Sequence, residues 1–99
     1  MSASLNSVIR RPLYGSGQKV AYTGTAGSVT LPPYTSSVLV WCTTVALVRV
    51  GGTATATDLP LPANAPIIIP TSSDTGAPVT VSAIQDTTGG TMYVIGMAD

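Results

Sequence analysis

Ser37 to Val50 reads Ser-Val-Leu-Val-Trp-Cys-Thr-Thr-Val-Ala-Leu-Val-Arg-Val, two strand-length apolar runs joined at Thr43-Thr44. Strand side chains alternate with period two, so Val38, Val40 and Cys42 point one way while Leu39 and Trp41 point the other. Both sides are apolar, whereas a half-solvated antiparallel strand alternates apolar with polar. This segment must be covered twice. One cover is expected from the inside of a sandwich, from Val79, Val81, Met92 and Val94. The other has three candidate sources: the opposite wall of a closed barrel, an N-terminal arm, or a neighbouring subunit.

The chain has little material for the second cover. It is 99 residues long, a single domain's worth, and a domain of this size buries roughly 60–70% of its unfolded surface. Only 8% of residues are charged, four basic and four acidic, and their sum is zero. So few charges give weak repulsion between copies and favour association. They also argue against a nucleic-acid partner, which needs a basic patch.

Catalysis by acid–base or nucleophilic chemistry needs a titratable group near its working pH, or a nucleophile beside a base. Histidine and glutamate are absent, and the acids are four separate aspartates. Asp74 and Asp86 stand in Asp-Thr-Gly and Asp-Thr-Thr-Gly, where aspartate caps its own backbone in a turn. No loop supplies the converging carboxylates calcium requires. The one cysteine, Cys42, makes neither an internal disulfide nor a metal cluster, and it reads as a buried small hydrophobe. The expectation is a protein that is no enzyme and has neither cofactor nor metal. No apolar run approaches the ~20 residues of a membrane helix. The basic pair Arg10-Arg11 leads into Pro-Leu-Tyr-Gly rather than an apolar stretch, so no secretory leader is expected.

The remaining pattern is all-β. Residues 1–17 read as an extended arm: Arg11-Pro12 excludes helix and Gly15-Ser16-Gly17 makes a corner. Gln18–Tyr22 is a strand, with Ser28–Leu31 as its expected hairpin partner. Thr53–Asp58 alternates in small residues and suits an edge, or a place where two sheets approach closely. Leu59-Pro-Leu-Pro is extended but barred from a sheet centre. Ile67–Ile69, Pro78–Gln85 and Thr91–Met97 complete the set, the last two as a hairpin across Asp86–Gly90. About eight short strands at this spacing predict a small antiparallel β-sandwich or jelly-roll-like barrel over residues 18–99.

Candidate contact residues follow from the same logic. Leu13 and Tyr14 are apolar anchors on the arm, beside Arg10 and Arg11. Trp41 reads as core or subunit interface, with a sugar-stacking platform as the alternative. Arg49 either carries its head past an apolar stem to solvent or meets an acid of a neighbouring chain. Tyr34, like Tyr14, Tyr22 and Tyr93, falls at a strand end or loop, the amphipathic position enriched at interfaces.

From Val38 onward the chain resembles a group of small bacteriophage virion proteins. The residues that carry the likeness are Val-Ala-Leu-Val-Arg-Val-Gly-Gly at 45–52, then Thr-Ala-Thr-Ala-Thr-Asp with Leu-Pro-Leu-Pro-Ala, then Val79-Thr-Val-Ser-Ala-Ile-Gln-Asp with Gly89-Gly-Thr-Met-Tyr-Val. The resemblance implies an all-β sandwich in the virion, assembled in the host cytoplasm. It implies capsid decoration or cement, a head–tail collar, or a tail or fibre role. The implied partners are the major capsid protein, neck or tail proteins, and further copies of the chain. A carbohydrate-binding module is the alternative from another class.

Overall fold

The computed structural model describes residues 11–33, 35–71 and 78–98. Its elements are β1 (Arg11–Pro12), β2 (Gln18–Tyr22), β3 (Gly27–Leu31), β4 (Ser37–Cys42), β5 (Ala46–Val50), β6 (Leu59–Leu61), β7 (Ile67–Pro70), β8 (Val79–Gln85) and β9 (Gly90–Ala98). They form two antiparallel sheets. The front sheet runs β1-β9-β4-β7, with β2 following β1 along the same flank of β9. The back sheet runs β3-β8-β5-β6.

The chain crosses from sheet to sheet at almost every connection, and β5 to β6 is the one step between neighbours in one sheet. That order is the winding of a jelly roll, two Greek keys closed into a sandwich. The fold is therefore a β-sandwich with open edges, and a closed barrel does not form. Two expected hairpins are corrected by it. β2 pairs with β9 and β3 with β8, so the Thr23–Ala26 turn is an arch between sheets. The β8–β9 connection is an arch as well, because β8 pairs β3 and β5 while β9 pairs β4. Loop composition reveals where a chain turns, and an arch and a hairpin use the same turn residues.

The core is what period two predicts. Val29 and Leu31, Val38, Val40 and Cys42, Ala46 and Val48, Val79, Val81 and Ala83, and Met92 and Val94 all point between the sheets and are buried. Tyr22 joins them at 1% exposure, which moves it from the surface class to the core. Its hydroxyl donates to the Thr44 carbonyl at 2.9 Å and accepts from the Thr44 amide at 3.2 Å. The Thr44 hydroxyl donates onward to the Thr88 carbonyl at 3.0 Å. One buried phenol thus ties three arches together at one end of the sandwich, and its polar tip is satisfied as burial requires.

Residues 51–58 are a loop, not the edge strand their alternation suggested. The Asp58 carboxylate accepts from the Thr55 amide at 2.7 Å, closing a turn that a strand would have to open. The loop lies on the outer surface of the back sheet. Ala54 is 3% exposed there, and its amide donates to the Ser82 hydroxyl at 3.0 Å. Ser82, on the side of β8 opposite Val81 and Ala83, is fully buried for that reason and donates in turn to the Gly27 carbonyl at 3.1 Å. The sheet edge falls instead to Leu59–Leu61, whose proline at 60 fits an edge.

Candidate functional site

The two outer surfaces of the sandwich differ. The back sheet is dressed by its own loop. The front sheet presents Leu39 and Trp41 from β4, Tyr93 and Ile95 from β9, and Ile68 from β7. Register lines them up in two rows across the strands: Ile95–Leu39–Ile68, and Lys19–Tyr93–Trp41. Ile68 is 47% exposed, and the other four apolar residues are half-buried. Trp41 and Tyr93 stack with ring centroids 4.5 Å apart and planes 13° from parallel. At the other end of the same surface, Met97 and Ser37 face each other and are covered, so the open apolar area is confined to the Trp41 half.

A shallow depression of about 430 Å³ sits within it, with Leu39, Ile95, Tyr93 and Trp41 on the sheet side. Gly17 and Lys19 form its rim. Among the described residues no group of three His, Cys, Asp or Glu side chains is placed to hold a metal. The surface offers apolar contact, one cation and one aromatic stack.

The expected contact residues are scattered relative to this face. Trp41 is its centre. Leu13 is half-buried beside β9, where its amide donates to the Gly96 carbonyl at 2.8 Å. Tyr14, next to it, stands 88% exposed. Arg11 is exposed on β1 and borders a second depression, of about 610 Å³, with Pro12, Leu13, Tyr14 and Ala98. Arg49 is on the back sheet, remote from Trp41, and pairs with Asp58 of its own chain at 3.0 Å. That bond identifies its partner: the acid belongs to the loop of residues 51–58 and not to a neighbour. Arg10 and Tyr34 lie outside the described residues.

Ile68 joins the face without any mark in the sequence, because only the pairing of β7 with β4 carries it alongside Leu39, whereas Ile95, like Tyr93, is turned outward by its alternation with Val94. Tyr93 does carry a mark, since it alternates with Met92 and Val94 and must face outward.

Burial sets the chemistry of Cys42. The thiol lies among apolar neighbours, which push its pKa from 9.0 to about 11, a rise limited by a hydrogen bond with Tyr22. It is a neutral packing group. Asp58 is displaced the other way: the Thr55 amide first, and the Arg49 guanidinium after it, hold its carboxyl below the usual range. Compared with known protein families, curated proteins and solved structures, the chain matches none.

Proposed function

We propose that the chain is a non-enzymatic structural component of a phage virion, a capsid decoration or cement protein that works through contacts between chains. The observation that carries this reading is the apolar outer face of the front sheet, built on rigid strands and left uncovered by the described residues. A face of two outward rows across four strands, roughly 20 by 14 Å or about 280 Å², follows from strand spacing and rise. Burying it is worth about 7 kcal/mol at ~25 cal/mol per Å². Association costs of ~4–15 kcal/mol offset most of that. Single contacts are then weak, and many of them in a shell are strong, as reinforcement of an assembled particle needs.

Jelly-roll winding occurs in viral capsid domains and in lectins alike, so the fold leaves the choice to the site. The Trp41–Tyr93 pair is the feature that favours a second, carbohydrate-binding reading. A sugar stacks on an open aromatic face, however, and here each ring already covers one face of the other. The test is co-sedimentation of the purified chain with virions of the phage that encodes it, together with electron microscopy to locate it as decoration, collar, tail or fibre. Association that is lost in Trp41→Asp supports the reading. Absence of the protein from purified virions overturns it, and binding on a glycan array that is lost in the same variant favours the second.

A further inference from the structure

We infer that the outer face of the front sheet docks a folded, apolar surface that carries a carboxylate opposite Lys19, and that no strand of the partner joins either sheet. This rests on the reading of that face as a contact surface and names the chemistry of its partner.

The first observation is that the sheet margins are closed to an added strand, which needs a row of free backbone donors and acceptors. The Leu13 amide donates to the Gly96 carbonyl at 2.8 Å, so alternation along β1 turns Pro12 outward, where its nitrogen has no hydrogen to offer. On β7 the Thr71 amide donates to the Ser36 carbonyl at 3.0 Å, which turns residues 66, 68 and 70 outward. Pro66 and Pro70 have no amide hydrogen, so Ile68 is the single outward donor of that strand. Pro60 interrupts the margin of β6 in the same way. The margins of β2 and β3 close on each other. Gln18 of β2 donates its side-chain amide to the Thr30 carbonyl of β3, and the Gly27 backbone lies against the Ala21 carbonyl with no room for a Cβ.

An extended segment laid across the face meets side chains only, and its own amides would be buried unpaired. A helix or a sheet surface satisfies its amides internally and brings apolar side chains alone. The face therefore selects a partner that is already folded where it touches.

The second observation is charge. The row Lys19–Tyr93–Trp41 ends on a cation at the rim of the depression. Among the described residues Lys19 has no ion pair and no hydrogen bond, and the residues lining the depression include no acid. Arg49, on the other sheet, is answered by Asp58 of its own chain. A purely apolar cover would take the Lys19 ammonium out of water with nothing to replace its hydration. A carboxylate at the matching place in the partner offsets that cost and fixes the register of the contact.

Two probes of similar shape, phenylbutyrate and phenylbutylammonium, separate charge from apolar contact in an NMR titration of the full chain. The carboxylate probe shifts the signals of Lys19, Trp41, Tyr93 and Ile95 and binds about threefold more tightly than the ammonium probe, a preference that Lys19→Met removes. Equal binding of the two, shifts confined to another surface, or binding by neither overturns the inference. In co-sedimentation with virions, Lys19→Glu weakens association roughly tenfold or more, because it sets like charges together. Pro70→Thr restores an outward donor on β7 and leaves association unchanged; tighter association of that variant would mean that a strand is added, and overturns the docking mode. Both positions are exposed, so both variants keep the melting temperature of the wild type. The two measurements separate the inference from the reading beneath it. A chain that prefers the carboxylate probe yet ignores virions defeats only the virion role, and virion association as tight in Lys19→Glu as in the wild type defeats only the acid-bearing partner.

Discussion

Cys42 illustrates how a residue that looks reactive is made inert. Its thiol is buried in the core cluster and stays protonated to about pH 11. In the unfolded chain it ionises from about 9.0, so between these values the unfolded state has lost a proton that the native state retains. Stability contributed by the neutral thiol is complete below pH 9 and declines as pH rises toward 11. Chemical denaturation across that range shows the decline, and it is absent in Cys42→Ala. At neutral pH a thiol reagent reacts with the native chain only as fast as it opens.

Gly90 and Ser82 are exacting for a different reason. A Cβ at Gly90 would stand 2.6 Å from the hydroxyls of Thr43 and Thr44 and 2.8 Å from that of Tyr22. Gly90→Ala therefore pushes into the knot that ties the arches, at an expected cost of about 1–3 kcal/mol in urea titrations. Ser82→Ala strands the buried Ala54 amide and removes a donor from the Gly27 carbonyl, costing about 1–3 kcal/mol on the same measurement.

Among the elements, the loop of residues 51–58 depends most on ionisation. Asp58 accepts from the Thr55 amide and from Arg49, and its carboxyl titrates below 3.8. A depressed carboxyl contributes stability that is present above its unfolded value and is lost as pH falls through its native one. Acidification from about pH 4 downward should therefore loosen this loop ahead of the sheets, seen as faster amide exchange at Ala54 and Thr55. Asp58→Asn should show raised exchange there at every pH and lack the acid-dependent step. The pair with Arg49 is exposed and adds little of its own; the backbone bond is what shapes the turn.

For the molecule as a whole, the winding has a kinetic consequence. β1 closes against β9 by pairing Arg11 with Ala98, and β4 must meet β9 across most of the chain. Such non-local pairing makes folding slow, in the millisecond-to-second range, measurable by stopped-flow. The single tryptophan is a ready reporter, because it lies half-buried on the open face rather than in the core. Its emission should shift to the blue, and acrylamide should quench it less, when the chain is mixed with a partner that covers this face. Trp41 emission unchanged on mixing with virions would mean that the face stays wet.

Much of this architecture is legible in the order of residues along the chain. Period-two burial is a property of the extended backbone, so the inward set Val38, Val40, Cys42, Val79, Val81, Met92 and Val94 follows from that order alone. The same rule places Leu39 and Trp41 on the opposite side, and the scarcity of other apolar segments leaves the wall of a barrel, the arm or a neighbouring subunit to cover them. Which strand lies beside which is not legible in the same way. Pairing energy depends on neighbours brought from far along the chain, and turn residues serve arches and hairpins equally. For that reason the turns at Thr23–Ala26 and Asp86–Gly89 read as hairpins and fold as arches, and the alternation of Thr53–Asp58 ends in a loop. Ile68 likewise gives no sign of joining Trp41 until β7 pairs with β4, and Ile95, outward by its alternation with Val94, meets Leu39 only through that pairing of β9 with β4. The doubly apolar stretch is intelligible from sequence; that its second side becomes an open surface shared with Tyr93, Ile95 and Ile68 is a consequence of tertiary pairing.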